Sequence, residues 1–214
     1  MQCATGMGMY HSIYLAKARE LCTKYHIHLI DDEIAVGFGR TGKMFAFEHA
    51  NIKPDFICLS KGLTGGYLPL SAVLTTDNIY MAFYEDKIEK GFLHSHSYTG
   101  NPLACSAALG TLNYFENHDV INQNYKTSAY ISERMKTFSI LPISNLRNIG
   151  MIWAFDLQGV TKVVLKKITT KAIDRGLLIR PIGHTIYFMP PYIINHDEVD
   201  FMIDIAFKVI QSSI

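Results

Sequence analysis

Apolar residues in this chain fall either into short continuous runs or into longer stretches at helical spacing, and the two kinds take turns. Ile13, Ala16, Leu21, Cys22 and Tyr25 recur near the helical period, with Ser12 placed to cap them, so the spacing predicts a helix over residues 12–25. Ile27 to Ile30 then reads as a buried strand. A short helix around Phe45 to His49 leads through Pro54 into a second strand, Asp55 to Leu59, and Leu70 to Leu74 reads as a third. A helix is expected from Asp77, followed by a loop from about Glu85 to Gly100 rich in glycine, histidine and hydroxyls. Asn101 and Pro102 suit the cap and first position of the next helix, whose apolar face runs from Leu103 to Phe115, and another helix covers Val120 to Phe138. Around Ser139 to Ser144 the pattern changes. The remainder reads as a strand (151–157), a helix (162–175), two strands (177–180 and 185–189) and a final helix (198–211). Aliphatic strands alternating with helices predict an α/β architecture. The expected division is a large domain with a mostly parallel sheet over residues 1–138 and a small α+β domain over 139–214.

The first two strands both end in charge. One delivers Asp31, Asp32 and Glu33 into a glycine-rich loop, and the other delivers Ser60 and Lys61 into Gly62. In open α/β sheets ligands sit at the carboxyl ends of the strands, so a carboxylate and an amine there form a candidate site. The plain alternative, acid and lysine as solvated strand caps, stays open on this pattern alone. Strand alternation sends Asp31 and Glu33 to the face opposite Asp32, which reads as a structural placement. Gly37, Gly39 and Gly42 free the following loop to fold close over a ligand, with Arg40 as a fixed cation within it. Pyridoxal phosphate is a cofactor that asks for such a pair. Its aldehyde takes a lysine amine, and its ring nitrogen needs an anion to stay protonated.

The strings D-E-I-A-x-G-F-G-R-T-G-K (residues 32–43) and K-P-D-x-x-C-L-x-K-G-L-T-G-G (residues 53–66) resemble the class III aminotransferases of the pyridoxal-phosphate-dependent, fold-type-I architecture. The resemblance runs over essentially the whole chain and implies the carboxyl-side portion of such an enzyme, because the segment Cys3 to Met9 matches one well inside the family's large domain. It implies Lys61 as the catalytic, cofactor-linked lysine and Asp32 as the partner of the ring nitrogen. Arg40 matches an arginine at the substrate end of the site, Arg180 the arginine that binds a substrate carboxylate, and Tyr187 a tyrosine near the substrate. In the loop before Asn101, Ser95 and His96 stand where the family has glycine and proline. Ser97 stands for the threonine that reaches the cofactor phosphate held by the neighbouring subunit. The resemblance further implies a homodimer with shared sites. The stretch R-P-I-G-x-x-I-Y-F-M-P-P-Y-I (residues 180–193) favours members that aminate 8-amino-7-oxononanoate to 7,8-diaminononanoate in biotin biosynthesis, with S-adenosylmethionine as donor. Members acting on ornithine, acetylornithine or γ-aminobutyrate stay open, as do lysine as donor and a non-catalytic remnant of the family.

Composition narrows the partners. The 214 residues are 49% hydrophobic and 18% charged, with a formal net charge of +1, which can bury a core and gives no electrostatic footprint for nucleic acid or an anionic membrane. No apolar run reaches the ~20 residues of a membrane span, and the opening MQCATGMGMY lacks the blocks of a signal peptide, so a cytoplasmic protein is expected. Cys3, Cys22, Cys58 and Cys105 stand singly without zinc-ligand spacing. His94 and His96 lack further convergent ligands, and no metal is expected.

Overall fold

The computed structural model describes residues 3–214; Met1 and Gln2 lie outside it. The chain divides into two compact units. The first comprises His11–Phe38 and Lys43–Asp119. The second takes the segment up to Tyr10, Gly39–Gly42 and Val120–Ile214. The division differs from the expected boundary after residue 138. Helix α4 (Val120–Met135) buries Ile131 and Met135 in one core with Trp153 and Phe155, so it belongs with the strands that follow it. No helix among the described residues is long and apolar enough to cross a membrane.

In the first unit, α1 (Ser12–Lys24) is capped by His11 rather than Ser12: the His11 Nδ1 accepts the Ile13 N–H at 3.2 Å, and Ser12 is already helical. Strands β1 (Ile30–Asp32), β2 (Phe56–Leu59) and β3 (Ala72–Thr75) form a sheet in that order. The ladder of β1 starts later than the apolar run, because the Ile27 N–H is taken by the Cys22 carbonyl at the end of α1. β1 and β2 are parallel with Asp32 opposite Cys58, and β3 returns antiparallel with Ala72 opposite Leu59. The sheet is therefore mixed, where the sequence predicts a mostly parallel one. A parallel return needs a crossover connection, usually a helix. Here the chain after β2 makes a short 3-10 turn (Lys61–Thr64) and reverses at Gly65 and Gly66, with φ of 61° and 83°. After α2 (Asp77–Phe83), helix α3 (Pro102–Asn117) opens as expected. The Asn101 Oδ1 accepts the N–H groups of Leu103 and Ala104, and Pro102 fills the first turn. Phe38, Leu59, Leu63 and Ala108 make the small core that joins α3 to the turn after β2.

In the second unit, α4 is followed by β4 (Ile143–Ile149), β5 (Ile152–Leu157), α5 (Lys162–Ile173), β6 (Thr185–Phe188) and α6 (His196–Gln211). The three strands form an antiparallel sheet in the order β4-β5-β6. α6 starts with a capping box: Asn195 accepts the Glu198 N–H while the Glu198 carboxylate accepts the Asn195 N–H. Strand β4 has no counterpart in the sequence prediction. The expected strand 177–180 forms no ladder; Ile179 is 2% exposed in the core, and one bridge lies further on, between Ile182 and Thr185.

Candidate active site

β1 and β2 run parallel, so their carboxyl ends open on the same edge of the sheet. Asp32 is the last residue of β1; it is exposed, and its Oδ1 accepts the Ile34 N–H at 3.0 Å. Lys61 lies two residues past the end of β2, is exposed, and has a φ of 41°. Left-handed backbone is uncommon for a residue with a side chain, and it persists where the surroundings hold it. Several bonds do so here. The Ser60 hydroxyl donates to the Leu70 carbonyl at 2.7 Å, the Thr64 hydroxyl to the Leu68 carbonyl at 2.6 Å, and the Leu63 N–H to the Ser60 carbonyl at 3.0 Å. A Cβ on Gly62 would come within 2.8 Å of the Phe38 ring, so glycine lets that ring lie on the backbone of the lysine turn. An amine carried on a constrained turn and a carboxylate bonded to the Ile34 N–H, at one sheet edge, can hold an aldehyde and a protonated ring nitrogen.

The loop before α3 ties itself up. The His96 N–H donates to the Thr99 hydroxyl and the Tyr98 N–H to the His96 Nδ1, both at 3.1 Å. Ser95 and Ser97 stay exposed, and no hydrogen bond joins them to Asp32 or Lys61. Among the described residues no group of three or more histidines, cysteines or carboxylates could hold a metal.

The remaining expected site residues belong to the second unit. Arg180 is exposed directly after the buried Ile179. Tyr187 sits in β6 opposite Ala154 and packs against Met7, Ile152 and Ala154, so its ring is part of a small apolar cluster. Arg40 is anchored. Its guanidinium donates to the Pro190 carbonyl at 2.8 Å and lies 4.5 Å from the centre of the Tyr192 ring, while its backbone carbonyl accepts the Met151 N–H at 2.9 Å. Burial lowers its pKa, outweighing the opposing pull of Tyr192 and Cys3. Gly150 permits this fastening, since a Cβ there would stand 2.3 Å from the Thr41 carbonyl carbon.

Sequence reasoning placed Asp31 and Glu33 behind Asp32 and stopped there. Glu33 is in fact fully buried, its Oε1 accepts the Phe47 N–H at 2.9 Å, and desolvation pushes its pKa up to about 7 against the pull of the Ala46 and Phe47 N–H groups. Asp55 is likewise more than a strand end. Its carboxylate accepts the Leu29 N–H at 2.7 Å and pairs with Arg19 at 2.6 Å, and those two bonds, the backbone one first, hold its pKa down.

Comparison with known proteins bears on the whole chain. The family model described as aminotransferase class-III matches residues 1–210. The adenosylmethionine-8-amino-7-oxononanoate aminotransferase of Helicobacter pylori is 51% identical over 207 residues, which are 93% of this chain and 47% of that protein. The solved structure of the Methanocaldococcus jannaschii protein of the same name superposes with a TM-score of 0.90 at 35% identity, over 97% of this chain and 51% of that one. An amine transaminase from an uncultivated Pseudomonas species, solved in its PLP-bound form, gives 0.85 at 30% identity, over 94% of this chain and 48% of its own. The chain thus spans about half the length of the relatives it matches.

Proposed function

We propose that this chain, which belongs to the class-III aminotransferase family, is the lysine-bearing portion of a transaminase that converts 8-amino-7-oxononanoate to 7,8-diaminononanoate with S-adenosylmethionine as amino donor. One observation carries the reading: an amine with constrained backbone and a carboxylate stand at the carboxyl ends of adjoining parallel strands. The names of the Helicobacter and Methanocaldococcus relatives support the choice of substrates. These residues fit pyridoxal 5′-phosphate, because an aldehyde asks for a primary amine, a protonated ring nitrogen asks for a carboxylate, and both are exposed at one edge. When bound, the cofactor supplies the carbonyl that exchanges amino groups and a ring that accepts electrons.

Lys61 would hold the aldehyde and, once released by an incoming amine, move a proton at the substrate carbon as base and then acid. Asp32 would keep the ring nitrogen protonated by stabilising its positive charge. Arg180, with five donors in a fixed fork, suits a substrate carboxylate bidentately. Arg40, Tyr187 and Ser95 would bound the substrate end, and the Ser97 hydroxyl would reach the cofactor phosphate. A homodimer with shared sites, working in the cytoplasm, completes the reading.

The test is a transamination assay on the purified chain, with and without an amino-side fragment from a homologous enzyme, scored with both S-adenosylmethionine and lysine as donors. The chain alone is expected to be inactive. In the family the loop and helix start that hold the cofactor phosphate, and the ring stacked on the pyridine, come from sequence outside these residues. About three charge-assisted hydrogen bonds at ~1.5 kcal/mol each and one stacking contact near ~1 kcal/mol amount to ~5 kcal/mol, or between three and four decades of affinity. Turnover on ornithine or γ-aminobutyrate without turnover on the oxononanoate would reject the substrate; robust turnover by the chain alone would reject the account of the phosphate site.

A further inference from the structure

Two carboxylate oxygens in the first unit, Asp31 Oδ2 and Glu33 Oε2, are buried without a hydrogen-bond donor when both groups are ionised. The residues are two apart along an extended chain, so they share one face while Asp32 takes the other. The strand does continue that far, since the Glu33 N–H donates to the Cys58 carbonyl at 3.0 Å and carries the β1–β2 ladder past Asp32. Ionised carboxylates only accept, so two of them facing each other in a buried place repel and satisfy nothing. One proton between them removes both faults.

Among the described residues the surroundings supply no cation as a remedy, and the pull of the N-terminal amino group on Asp31 is smaller than the desolvation that raises it. Asp32 adds a further negative charge beside Asp31; the short helix Ala46–Ala50 meets Glu33 with the N–H groups of Ala46 and Phe47; β2 sets Cys58 opposite Asp32. No described lysine, arginine or histidine acts on either carboxyl.

We propose that Asp31 and Glu33 hold one proton between them on the face opposite Asp32, and that this pair positions Asp32 while the proton is held. The value of positioning Asp32 rests on the proposed role of that residue toward the ring nitrogen; the shared proton does not. Glu33 is the donor of the pair. Burial raises its pKa to about 7, and the bond between the two carboxyls raises Glu33 while it lowers Asp31. A group raised in the folded state contributes stability below its unfolded value, here 4.5, and loses it as pH rises through about 7.

The experiment is denaturant unfolding of the purified protein, of Glu33→Gln and of Asp31→Asn, from about pH 5 to about pH 8, with the Asp32 carboxyl followed by NMR of isotope-labelled aspartate. In either variant an amide donor replaces the shared proton at every pH. Relative to both variants, the wild-type unfolding constant is expected to rise by up to about tenfold per pH unit between about pH 5 and about pH 7, where the folded pair keeps a proton that the unfolded chain has lost, and to level off above that. The Asp32 signal is expected to step near pH 7, where the folded pair loses its proton, in the wild type only. Parallel stability profiles would overturn the shared proton. A stability difference without a step at Asp32 would overturn the positioning role. Should Glu33→Gln fail to fold, Asp31→Asn carries the same comparison. Neither readout needs cofactor or turnover, so a failed transamination assay leaves both results standing.

Discussion

In the unit built on β4, β5 and β6, Trp153, Phe138, Phe155 and Ile186 are at most 1% exposed, and α6 buries six residues against that sheet. The unit that carries Asp32 and Lys61 is built differently. Its α1 buries no residue, Ile30 in β1 is 64% exposed, and Tyr80, Met81, Phe83, Tyr84, Phe92 and Leu93 all stand open between β3 and α3. Both units carry the apolar pattern of packed elements, yet only one finds its packing partners within this chain. Contiguous apolar surface of this kind marks a place where something else binds. The candidate lysine and its partner carboxylate lie on the open unit, whereas the closed unit stands on its own core.

The largest effect belongs to the open unit. Lys61→Ala should abolish transamination in the complemented protein and remove the borohydride-trappable link to the cofactor, with little change in unfolding midpoint, because the side chain is exposed. Trapping on another residue would refute the assignment. Next comes the core of the closed unit. Trp153 is 1% exposed and its indole N–H donates to the Ser132 hydroxyl at 3.0 Å, so Trp153→Ala should cost about 3 to 5 kcal/mol of unfolding free energy. A loss below ~1 kcal/mol by denaturant titration would mean that this core is not the one that holds the unit together.

How far the sequence could be read follows the same line. α6 was legible to within two residues because its apolar stripe, its Asn195 cap and its packing partners all lie in the chain. The paired strand ends with Asp32 and Lys61 were legible because continuous aliphatic runs stop there in charge. β4 was not. Its residues Ser144, Asn145, Arg147 and Asn148 break the alternation, and the ladder shifts register between Ser144 and Arg147 with Asn145 at a φ of 53°. The antiparallel return of β3 depends on a glycine reversal that counts no periodicity. Tyr187 could be read as core or as site, and its position in an apolar cluster of the second unit keeps it in contact with both readings. The proton shared by Asp31 and Glu33 needed burial, which alternation predicts in face but not in depth.

Arg180→Ala tests the exposed cation of the closed unit. Each hydrogen bond to a charged group is worth about 1.5 to 3 kcal/mol, so loss of a bidentate pair should lower kcat/KM for the oxononanoate about a hundredfold or more in the complemented protein. An unchanged ratio would place the carboxylate pocket elsewhere. A smaller effect is expected at Arg147, whose guanidinium donates to the carbonyls of Gly6 at 2.7 Å and Met7 at 3.0 Å and to both oxygens of Asp156 at 3.2 Å. Desolvation raises the Asp156 pKa, but bonds from Thr185, Asn145 and Arg147 outweigh it and hold the carboxyl below its ordinary value of 3.8. A depressed acid stabilises the fold above its unfolded pKa and loses that contribution as pH falls through the folded one. Arg147→Ala should therefore cost about 1 to 2 kcal/mol at neutral pH and less in acid, read from unfolding curves at the two conditions. An equal loss at both would reject the coupling.

The smallest effect is the one that separates the two units most sharply. Leu21 lies on α1 and is 52% exposed, and α1 is tied to its unit by the Arg19 to Asp55 pair rather than by burial. In the chain alone Leu21→Lys should change unfolding free energy by no more than ~0.5 kcal/mol, as exposed substitutions do. If the open face is a docking face, the same substitution should weaken association with an amino-side fragment, because burying a leucine side chain is worth about 1.5 to 3 kcal/mol and a lysine there would be left without a partner. The pair of measurements, unfolding of the chain and binding of the fragment, must therefore come apart. A substitution silent in both would mean that α1 faces water in the complete protein as well, and that its apolar residues are scattered surface residues rather than half of an interface. A loss in the chain alone would mean that α1 is packed more tightly than its exposure indicates, and the contrast between an open and a closed unit would no longer hold.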